Sequence, residues 1–315
     1  MRPEDELIER ALQREKRAVS QLVSLFEDQR AEAVEKRAYV LDRLQGRKCA
    51  VVIGLTGTPG SGKSSLLARV TLSLLAGSSL SVAVLAVDPS SHISGGALLG
   101  DRTRMNLPHD ERRAFFRSQA SATELGGLGP WSFQVCRLLA HLFDCVLVET
   151  VGIGQSEADI RHLADRVYLV MAPLGGDEIQ FLKAGIMEVP HAFVLNKCDE
   201  PSSERSYHTL RGTIGLARPL DGNNVPIYRT SAKTGVGIDE LTRGLIEDCA
   251  STPPALRERE PYFFERWVRD EWGRSGVRAL DAQGGAGVYL RRCTNFERAQ
   301  ADFSARLAPH ENKSP

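Results

Sequence analysis

A glycine-rich turn followed by lysine and serine is the stretch of this sequence with the clearest chemical meaning. Residues 57–64 read GTPGSGKS, which fits the pattern G-x-x-x-x-G-K-[ST]. Glycine lets successive backbone N–H groups point into such a turn and bind phosphate oxygens. Lys63 would reach the β- and γ-phosphates of a nucleotide, and Ser64 would bind Mg²⁺. The alternative is a strand-to-helix turn that binds nothing. The candidate binding residues are Gly57, Pro59, Gly60, Ser61, Gly62, Lys63, Ser64 and Ser65.

A second short motif bears on the choice of base. Residues 196–199 read NKCD and follow an apolar run at 191–195, as the N-K-x-D motif of GTPases follows a strand. The carboxylate of Asp199 can accept hydrogen bonds from N1–H and the N2 amino group of guanine, whereas adenine has no donor at N1. Asn196 would bind guanine or tie this loop to the phosphate turn, and Lys197 would pack over the base. An S-A-K sequence follows the next predicted strand, at Ser231, Ala232 and Lys233. The three motifs together favour GTP over ATP.

Acidic residues stand at the ends of two apolar runs. Asp88 ends LSVAVLAVD, and Glu149 ends FDCVLVE. A carboxylate at the carboxyl end of a strand can hold Mg²⁺ directly or through water. Glu149 to Gly152 takes the place of the D-x-x-G motif, so the N–H of Gly152 would contact the γ-phosphate. Asp101, in a glycine-rich connection, is a further candidate ligand. A solvated loop end or a helix N-cap is the alternative for each acid.

Apolar runs of strand length alternate with helical stretches from about residue 50 to residue 250. The predicted strands are 50–56, 81–87, 144–149, 166–172, 191–195 and 225–230, with a further short one at 115–119. Uninterrupted apolar runs are typical of parallel strands that are covered on both faces. We therefore predict an α/β fold with a mostly parallel, doubly wound sheet that binds its ligand at the carboxyl ends of the strands.

Helical segments flank this domain, so we predict three parts: a helical extension at 1–47, a P-loop domain at 48–250 and a C-terminal helical segment at 251–315 with a disordered tail after Leu307. The extension carries an apolar stripe with a break near 27–30, and it would pack on the main domain, on a second subunit or on a partner. An aromatic stripe at 263–272 predicts a dimer contact, with packing inside the chain as the alternative.

Composition excludes several classes of function. The chain has 315 residues with a formal net charge of +0, which gives no reason to expect nucleic acid or an anionic membrane as a partner. No apolar run approaches the roughly 20 residues of a membrane span. The charged start, MRPEDELIER, does not resemble a signal peptide. The six cysteines are scattered without a C-x-x-C pair, which predicts reduced thiols in a cytoplasmic protein and argues against zinc.

The motifs in combination resemble the MeaB/ArgK family, the GTPase chaperones of adenosylcobalamin-dependent acyl-CoA mutases, which includes the methylmalonic aciduria type A proteins. The resemblance is close over residues 48–250 and loose in the flanks. The segments that carry it are AVDPSS (86–91), GGALLGDRTRM (95–105), VETVGIGQSE (148–157), GGDEIQ (175–180) and NKCD (196–199). Two segments depart from the family: His92-Ile93-Ser94 replaces Pro-Phe-Thr, and Pro-Leu-Gly-Gly-Asp at 173–177 replaces Pro-Gly-Ala-Gly-Asp.

The resemblance implies a homodimeric, Mg²⁺-dependent GTPase that is slow alone and faster with its mutase. It would gate adenosylcobalamin transfer from an adenosyltransferase and protect and reactivate the mutase, be that methylmalonyl-, isobutyryl-, ethylmalonyl- or 2-hydroxyisobutyryl-CoA mutase. By matching positions, the Mg²⁺ side would consist of Ser64, Asp88, Asp101 and Glu149, and guanine would be read by Asn196, Lys197 and Asp199. Residues 175–183 correspond to a third switch, in which Asp177 and Glu178 would contact the mutase and Lys183 would support hydrolysis.

Three other functions remain possible on the sequence. A nickel-insertion GTPase would carry a Cys- and His-rich metal store, which this sequence lacks. A small-molecule kinase linked to amino-acid transport would need a catalytic base beside the γ-phosphate. A binding module without turnover is a third possibility, and GTP hydrolysis would exclude it.

Overall fold

A computed structural model of the chain describes residues 2–28, 30–88, 110–121, 128–129, 131–150, 156–173, 186–221, 224–251 and 258–307. Its strands are β1 (Val51–Gly57), β2 (Val82–Asp88), β3 (Ala114–Ala120), β4 (Cys145–Glu149), β5 (Arg166–Met171), β6 (Ala192–Leu195) and β7 (Ile227–Arg229). They form one sheet in the order β3-β2-β4-β1-β5-β6-β7, and all the pairings are parallel. The predicted parallel α/β fold is confirmed, including the short strand β3.

The helices of the described chain are α1 (Pro3–Leu12), α2 (Lys16–Phe26), α3 (Ala31–Leu44), α4 (Lys63–Gly77), α5 (Ser132–Leu142), α6 (Ser156–Leu163), α7 (Ser203–Ala217), α8 (Ile238–Ala250), α9 (Glu260–Ala282), α10 (Gly285–Arg291) and α11 (Phe296–Leu307). None of these described helices is long and apolar enough to cross a membrane.

Helices cover both faces of the sheet, which explains why its central strands are apolar except near their carboxyl ends. Leu66 of α4 and Leu241 of α8 pack with Leu55 in one buried cluster. The alternate positions of β1 face the other way, where Gly54 leaves room for Ile160 of α6: a Cβ at Gly54 would lie 2.5 Å from Ile160 Cγ1. All residues of β1, β2 and β4 are buried. Side chains alternate between the two faces of a strand, so both faces must be apolar.

The chain divides into two compact units. The sheet unit consists of Cys49–Ser132 and Phe143–Pro253, and the helical unit of Met1–Lys48, Phe133–Leu142 and Pro254–Pro315. Helix α5, which joins β3 to β4 along the chain, therefore belongs almost entirely to the helical unit. The three-part domain division stays a prediction, because compactness alone does not delimit functional domains.

The N-terminal extension has two breaks where the sequence indicated one. The predicted break lies between α2 and α3, which end and begin at Phe26 and Ala31. A further break separates α1 from α2 at Arg14, whose φ is 59°. The Arg14 N–H donates to Ala11 O at 2.8 Å, which caps α1. Arginine rarely adopts a left-handed conformation, so the residue types at this position did not predict the turn.

The aromatic stripe of α9 packs inside the helical unit. Phe264 is fully buried, with ring-centroid distances of 5.6 Å to both Tyr289 and Phe296. Phe263 stacks on Phe133 of α5 at 4.2 Å. Packing inside the chain, the alternative given above, is thus what the structure shows for these buried residues, because α10 and α11 fold back over α9. The dimer contact of the C-terminal segment stays a prediction, and Phe263 and Phe264 are buried within one chain.

Candidate nucleotide site

The phosphate turn joins β1 to α4 in a backbone conformation that requires glycine. Gly57, Gly60 and Gly62 have φ values of 149°, 77° and 84°. A Cβ at Gly57 would lie 1.9 Å from Val170 O on the neighbouring strand. The turn ends at Lys63, the first residue of α4, so the unpaired N–H groups of that helix start face the turn. This is the geometry of a backbone phosphate cradle.

Polar groups inside the turn suit a phosphate. The buried Lys63 donates from Nζ to Gly57 O at 3.0 Å and to Thr58 O at 3.1 Å, which holds the ammonium beside the cradle. Within the described chain, the buried hydroxyls of Thr58 and Ser61 have no hydrogen-bond partner. A buried hydroxyl without a partner is costly, and phosphate oxygens would accept these donors. The residues therefore fit a polyphosphate.

The candidate metal ligands lie at the carboxyl ends of adjacent strands. Ser64 Oγ donates to Glu149 Oε1 at 2.7 Å, so these two predicted ligands are together. Asp88 is also buried, but its Oδ2 accepts a hydrogen bond from Ser118 Oγ rather than from Ser64. The hydroxyl of Thr150, next to Glu149, is buried without a partner among the described residues. Ser64, Glu149 and Asp88 offer one hydroxyl and two carboxylates, which are hard oxygen donors of the kind that Mg²⁺ prefers.

Asn196 joins the base motif to the phosphate turn. Its Nδ2 donates to Ser61 O at 2.8 Å, and its Oδ1 accepts from the Ala232 N–H at 3.1 Å. Thr230 Oγ1 also donates to Asn196 Oδ1, at 3.3 Å. Of the two roles that the sequence allowed for Asn196, the structure shows the tie between loops. Gly62 is needed beside it, because a Cβ there would lie 2.7 Å from Asn196 Nδ2.

Asp199 is exposed and held by the S-A-K loop. Ser231 Oγ donates to Asp199 Oδ1 at 2.6 Å, and this bond lowers the pKa of the carboxyl below its usual value. An ionised carboxylate with one oxygen fixed in place suits two N–H donors of a base. Lys197 has a φ of 58°, a left-handed conformation that is rare for lysine and is typical of functional loops.

The structure brings together most of the predicted site. The phosphate turn, Ser64 with Glu149, and the two base loops are joined by the hydrogen bonds given above. Other predicted residues lie outside the described chain: His92, Ile93, Ser94, Asp101, Gly152, Asp177, Glu178, Lys183 and the tail after Leu307.

Sequence reasoning missed several residues that support this site. Ser118 on β3 holds Asp88, and Thr230 at the end of β7 holds Asn196. Arg69 of α4 donates from Nε to Ala232 O at 3.1 Å. A hydroxyl residue near the carboxyl end of a strand could have indicated Ser118 and Thr230. The sequence does not show which strands are neighbours, however, so it could not show which residues these hydroxyls contact.

A cavity of about 430 Å³ lies at the amino-terminal ends of β5, β6 and β7, whereas the candidate site lies at the carboxyl ends of the strands. Its arginines are paired with carboxylates: Arg166 with Asp248 at 3.2 Å, and Arg218 with Asp221. Strand β6 separates this cavity from the base loop at residues 196–199, so the cavity is not part of the nucleotide site.

The proteins that this chain resembles in sequence are GTPases, as the candidate nucleotide site leads one to expect. The family model of methylmalonyl-CoA mutase-associated GTPase MeaB matches residues 19–256. A Pyrococcus horikoshii protein named only as a GTPase is 40% identical over 247 residues, or 76% of each chain. GTPase ArgK of Escherichia coli is 35% identical over 249 residues, which is 77% of this chain and 75% of ArgK. The mitochondrial methylmalonic aciduria type A homolog of Mus musculus is 35% identical over 204 residues, 63% of this chain and 49% of that protein.

Solved structures share the fold. A crystal structure of LAO/AO transport system kinase has a TM-score of 0.63 at 24% identity and covers 96% of this chain and 97% of its own. HypB from Helicobacter pylori in complex with nickel has a TM-score of 0.50 at 15% identity, over 70% of this chain and 96% of HypB. Identities this low show the fold alone. The family match, the phosphate turn and the guanine motif together establish that the chain belongs to the MeaB family of mutase-associated GTPases and hydrolyses GTP.

Proposed function

We propose that this GTPase is a chaperone of an adenosylcobalamin-dependent acyl-CoA mutase and that GTP turnover gates loading, protection and reactivation of the mutase. The observation that carries the proposal is the family match over residues 19–256, because that family is named for its association with methylmalonyl-CoA mutase. The matched range contains both the phosphate turn and the base loops, so the likeness extends over the whole candidate site. The partner would be methylmalonyl-CoA mutase or a close relative, with an adenosyltransferase as cobalamin donor.

Base selection would be the task of the two loops after β6 and β7. Asp199 would accept the N1–H and N2–H donors of guanine, with Lys197 packed over the ring. Ser231 keeps the Asp199 carboxylate in place, and Asn196 fixes the distance between the base loop and the phosphate turn. Ala232 and Lys233 would complete the guanine pocket. A base without donors at these positions would leave the Asp199 carboxylate unpaired.

Phosphate binding would be the task of the turn and the start of α4. The turn backbone would cradle the β-phosphate, and Lys63 would exchange its two carbonyl acceptors for phosphate oxygens. Ser64, Glu149 and Asp88 are the described residues that would hold Mg²⁺, with Asp101 as a further ligand. When bound, Mg²⁺ supplies charge neutralisation at the β- and γ-phosphates. The Gly152 N–H would contact the γ-phosphate and so make its loop nucleotide-sensitive.

Partner-stimulated hydrolysis would depend on the third switch. Lys183 would balance charge on the transferred phosphoryl group once the mutase has bound through Asp177 and Glu178. No glutamine stands next to Gly152, and Gln155 is three residues beyond it, so we expect slow intrinsic turnover. A homodimer is part of the proposal, with contacts other than the buried Phe263 and Phe264.

The decisive experiment measures GTP hydrolysis alone and with each of four purified acyl-CoA mutases, with ATP as the nucleotide control. We expect one mutase to bind the protein and to raise the hydrolysis rate at least tenfold. The Lys183→Ala variant should bind the same mutase without the rate increase. Absence of binding and stimulation with all four mutases would refute the chaperone proposal. Phosphate transfer from GTP to a free amino acid would instead support the kinase reading.

A further inference from the structure

We infer that Ser118 is a positioning residue for the proposed Mg²⁺ site. Its hydroxyl fixes the Asp88 carboxylate in the orientation that Asp88 needs to help hold Mg²⁺. The inference rests on the proposed role of Asp88. It concerns a residue that lies outside all the nucleotide motifs, on the edge strand β3.

Strand register places Ser118 on the same face as the metal residues. Ala86 of β2 is paired with Ser118 on one side and with Glu149 of β4 on the other. Asp88 follows Ala86 by two residues, so its side chain projects from the same face. Leu55 of β1 is paired with Glu149 and packs in the cluster that includes α4, the helix that carries Ser64. Ser118 and Glu149 therefore lie level with each other on the two strands that flank β2, and Asp88 lies two residues further along β2 on the same face, which α4 covers.

Two hydrogen bonds from the β3 segment fix Asp88. The Ser118 hydroxyl donates to Asp88 Oδ2 at 2.5 Å, and the backbone N–H of Ser121 donates to Asp88 O at 2.8 Å. The first bond orients the carboxylate, and the second extends the β2–β3 pairing past the end of the strand. Asp88 is only 5% exposed, so little water is available to replace the Ser118 hydroxyl.

The chemistry of the donor explains why a hydroxyl is used. A neutral O–H stabilises the ionised carboxylate and leaves its negative charge available to a cation, whereas an arginine or lysine would neutralise that charge. Removal of a partner that orients a metal ligand costs 10- to 100-fold in metal affinity in proteins generally. We expect a loss of that size when the Ser118 hydroxyl is removed.

The test compares two β-branched residues that differ by a hydroxyl. Ser118→Thr keeps the donor, Ser118→Val removes it, and both residue types suit a strand. Mn²⁺ binding to the GDP-loaded protein, followed by electron paramagnetic resonance, reports metal affinity without turnover. We expect near-native affinity in Ser118→Thr and affinity about 10- to 100-fold weaker in Ser118→Val. Ser206→Ala, which removes a buried hydroxyl bond to Ser202 O in α7, is the matched control and should bind Mn²⁺ normally.

Asp88→Asn separates this inference from the proposed function. If Asp88→Asn binds Mn²⁺ as the native protein does, Asp88 has no metal role and the proposed function is wrong at that residue. If Asp88→Asn is weakened while Ser118→Val and Ser118→Thr bind equally, the metal role stands and positioning by Ser118 is refuted. Nucleotide binding in metal-free buffer confirms that each variant is folded. A variant that fails this check is replaced by Ser118→Ala, for which the same weakening is expected.

Discussion

At the scale of single residues, hydrogen bonds hold Asn196 and Asp199 in the two loops that we propose as the base site. Asn196 uses both ends of its amide within the protein, so it holds loops rather than meeting the base with a free group. Asp199 has one oxygen bonded to Ser231 and is exposed toward solvent. Base selection is therefore expected to depend on Asp199, and affinity on Asn196.

Asp199→Asn should change the nucleotide preference from GTP to XTP. Xanthine has an oxygen where guanine has the N2 amino group, so an amide could donate to it while still accepting the N1–H. We expect GTP affinity to fall at least tenfold and XTP affinity to rise. Calorimetric titration with GTP, XTP and ATP measures both changes. An unaltered GTP preference in this variant would remove Asp199 from the base site.

At the scale of elements, close approach of backbones fixes the phosphate turn. Strand β1 runs beside β5 until its last residue, Gly57, which is paired with Val170. The helix that follows begins within the turn, so small displacements of Gly57 are transmitted to Lys63 and Ser64. Position 57 thus requires glycine for two reasons: the backbone has a positive φ, and a neighbouring strand leaves no room for a side chain.

Gly57→Ala should destabilise the sheet unit and weaken nucleotide binding. The new Cβ would lie 1.9 Å from Val170 O, in a backbone conformation with φ of 149°. We expect a loss of about 1–3 kcal/mol in the free energy of unfolding. Gly77→Ala at the end of α4 is the control, because nothing lies within 4 Å of its Cβ position. Chemical denaturation and GDP titration should distinguish the two variants, and equal behaviour would contradict the steric argument.

At the scale of the whole molecule, a buried ionic cluster holds the helical unit together. Arg137 of α5 contacts Glu297 of α11 at 2.8 Å and Glu260 of α9 at 2.9 Å. Its guanidinium also lies 5.4 Å from the ring centroids of Phe133 and Phe296. One helix from the middle of the chain is thereby joined to two helices from its C-terminal part.

Arg137→Met should destabilise the helical unit strongly, because two buried carboxylates would lose the guanidinium that contacts both of them. The expected loss is about 3–5 kcal/mol in the free energy of unfolding. Arg298→Met is the control: its ion pair with Asp42 is partly exposed to solvent and should contribute about 1 kcal/mol or less. Urea denaturation followed by circular dichroism measures both. A loss in Arg137→Met no larger than that in the control would show that the cluster adds nothing to stability.

Acid should also destabilise the helical unit through His141. Burial, and then the nearby Arg137 and Arg47, lower the pKa of His141 from 6.5 to about 4. In the unfolded chain this histidine binds a proton near its ordinary pKa, so stability falls as the pH drops from about 6.5 to about 4, by on the order of 3 kcal/mol. His141→Leu should flatten the dependence across that window. Parallel pH profiles for native protein and His141→Leu would contradict this origin.

The sequence by itself determined the parallel sheet, the phosphate turn and the guanine motif. These are local features: uninterrupted apolar runs require strands covered on both faces, and glycines mark turns that only glycine can form. The prediction that Asp199 binds guanine likewise rests on its residue type and its neighbours in the chain.

Only the tertiary structure decided which groups hold these motifs in place. The bond from Asn196 to Ser61 O joins residues 135 positions apart, and Ser118 reaches Asp88 only because β3 pairs with β2. The aromatic stripe of α9 is buried because α10 and α11 fold back over it. Such contacts depend on strand order and helix packing. Strand order and helix packing cannot be read from residue spacing along the chain, because both depend on how the whole hydrophobic core is buried.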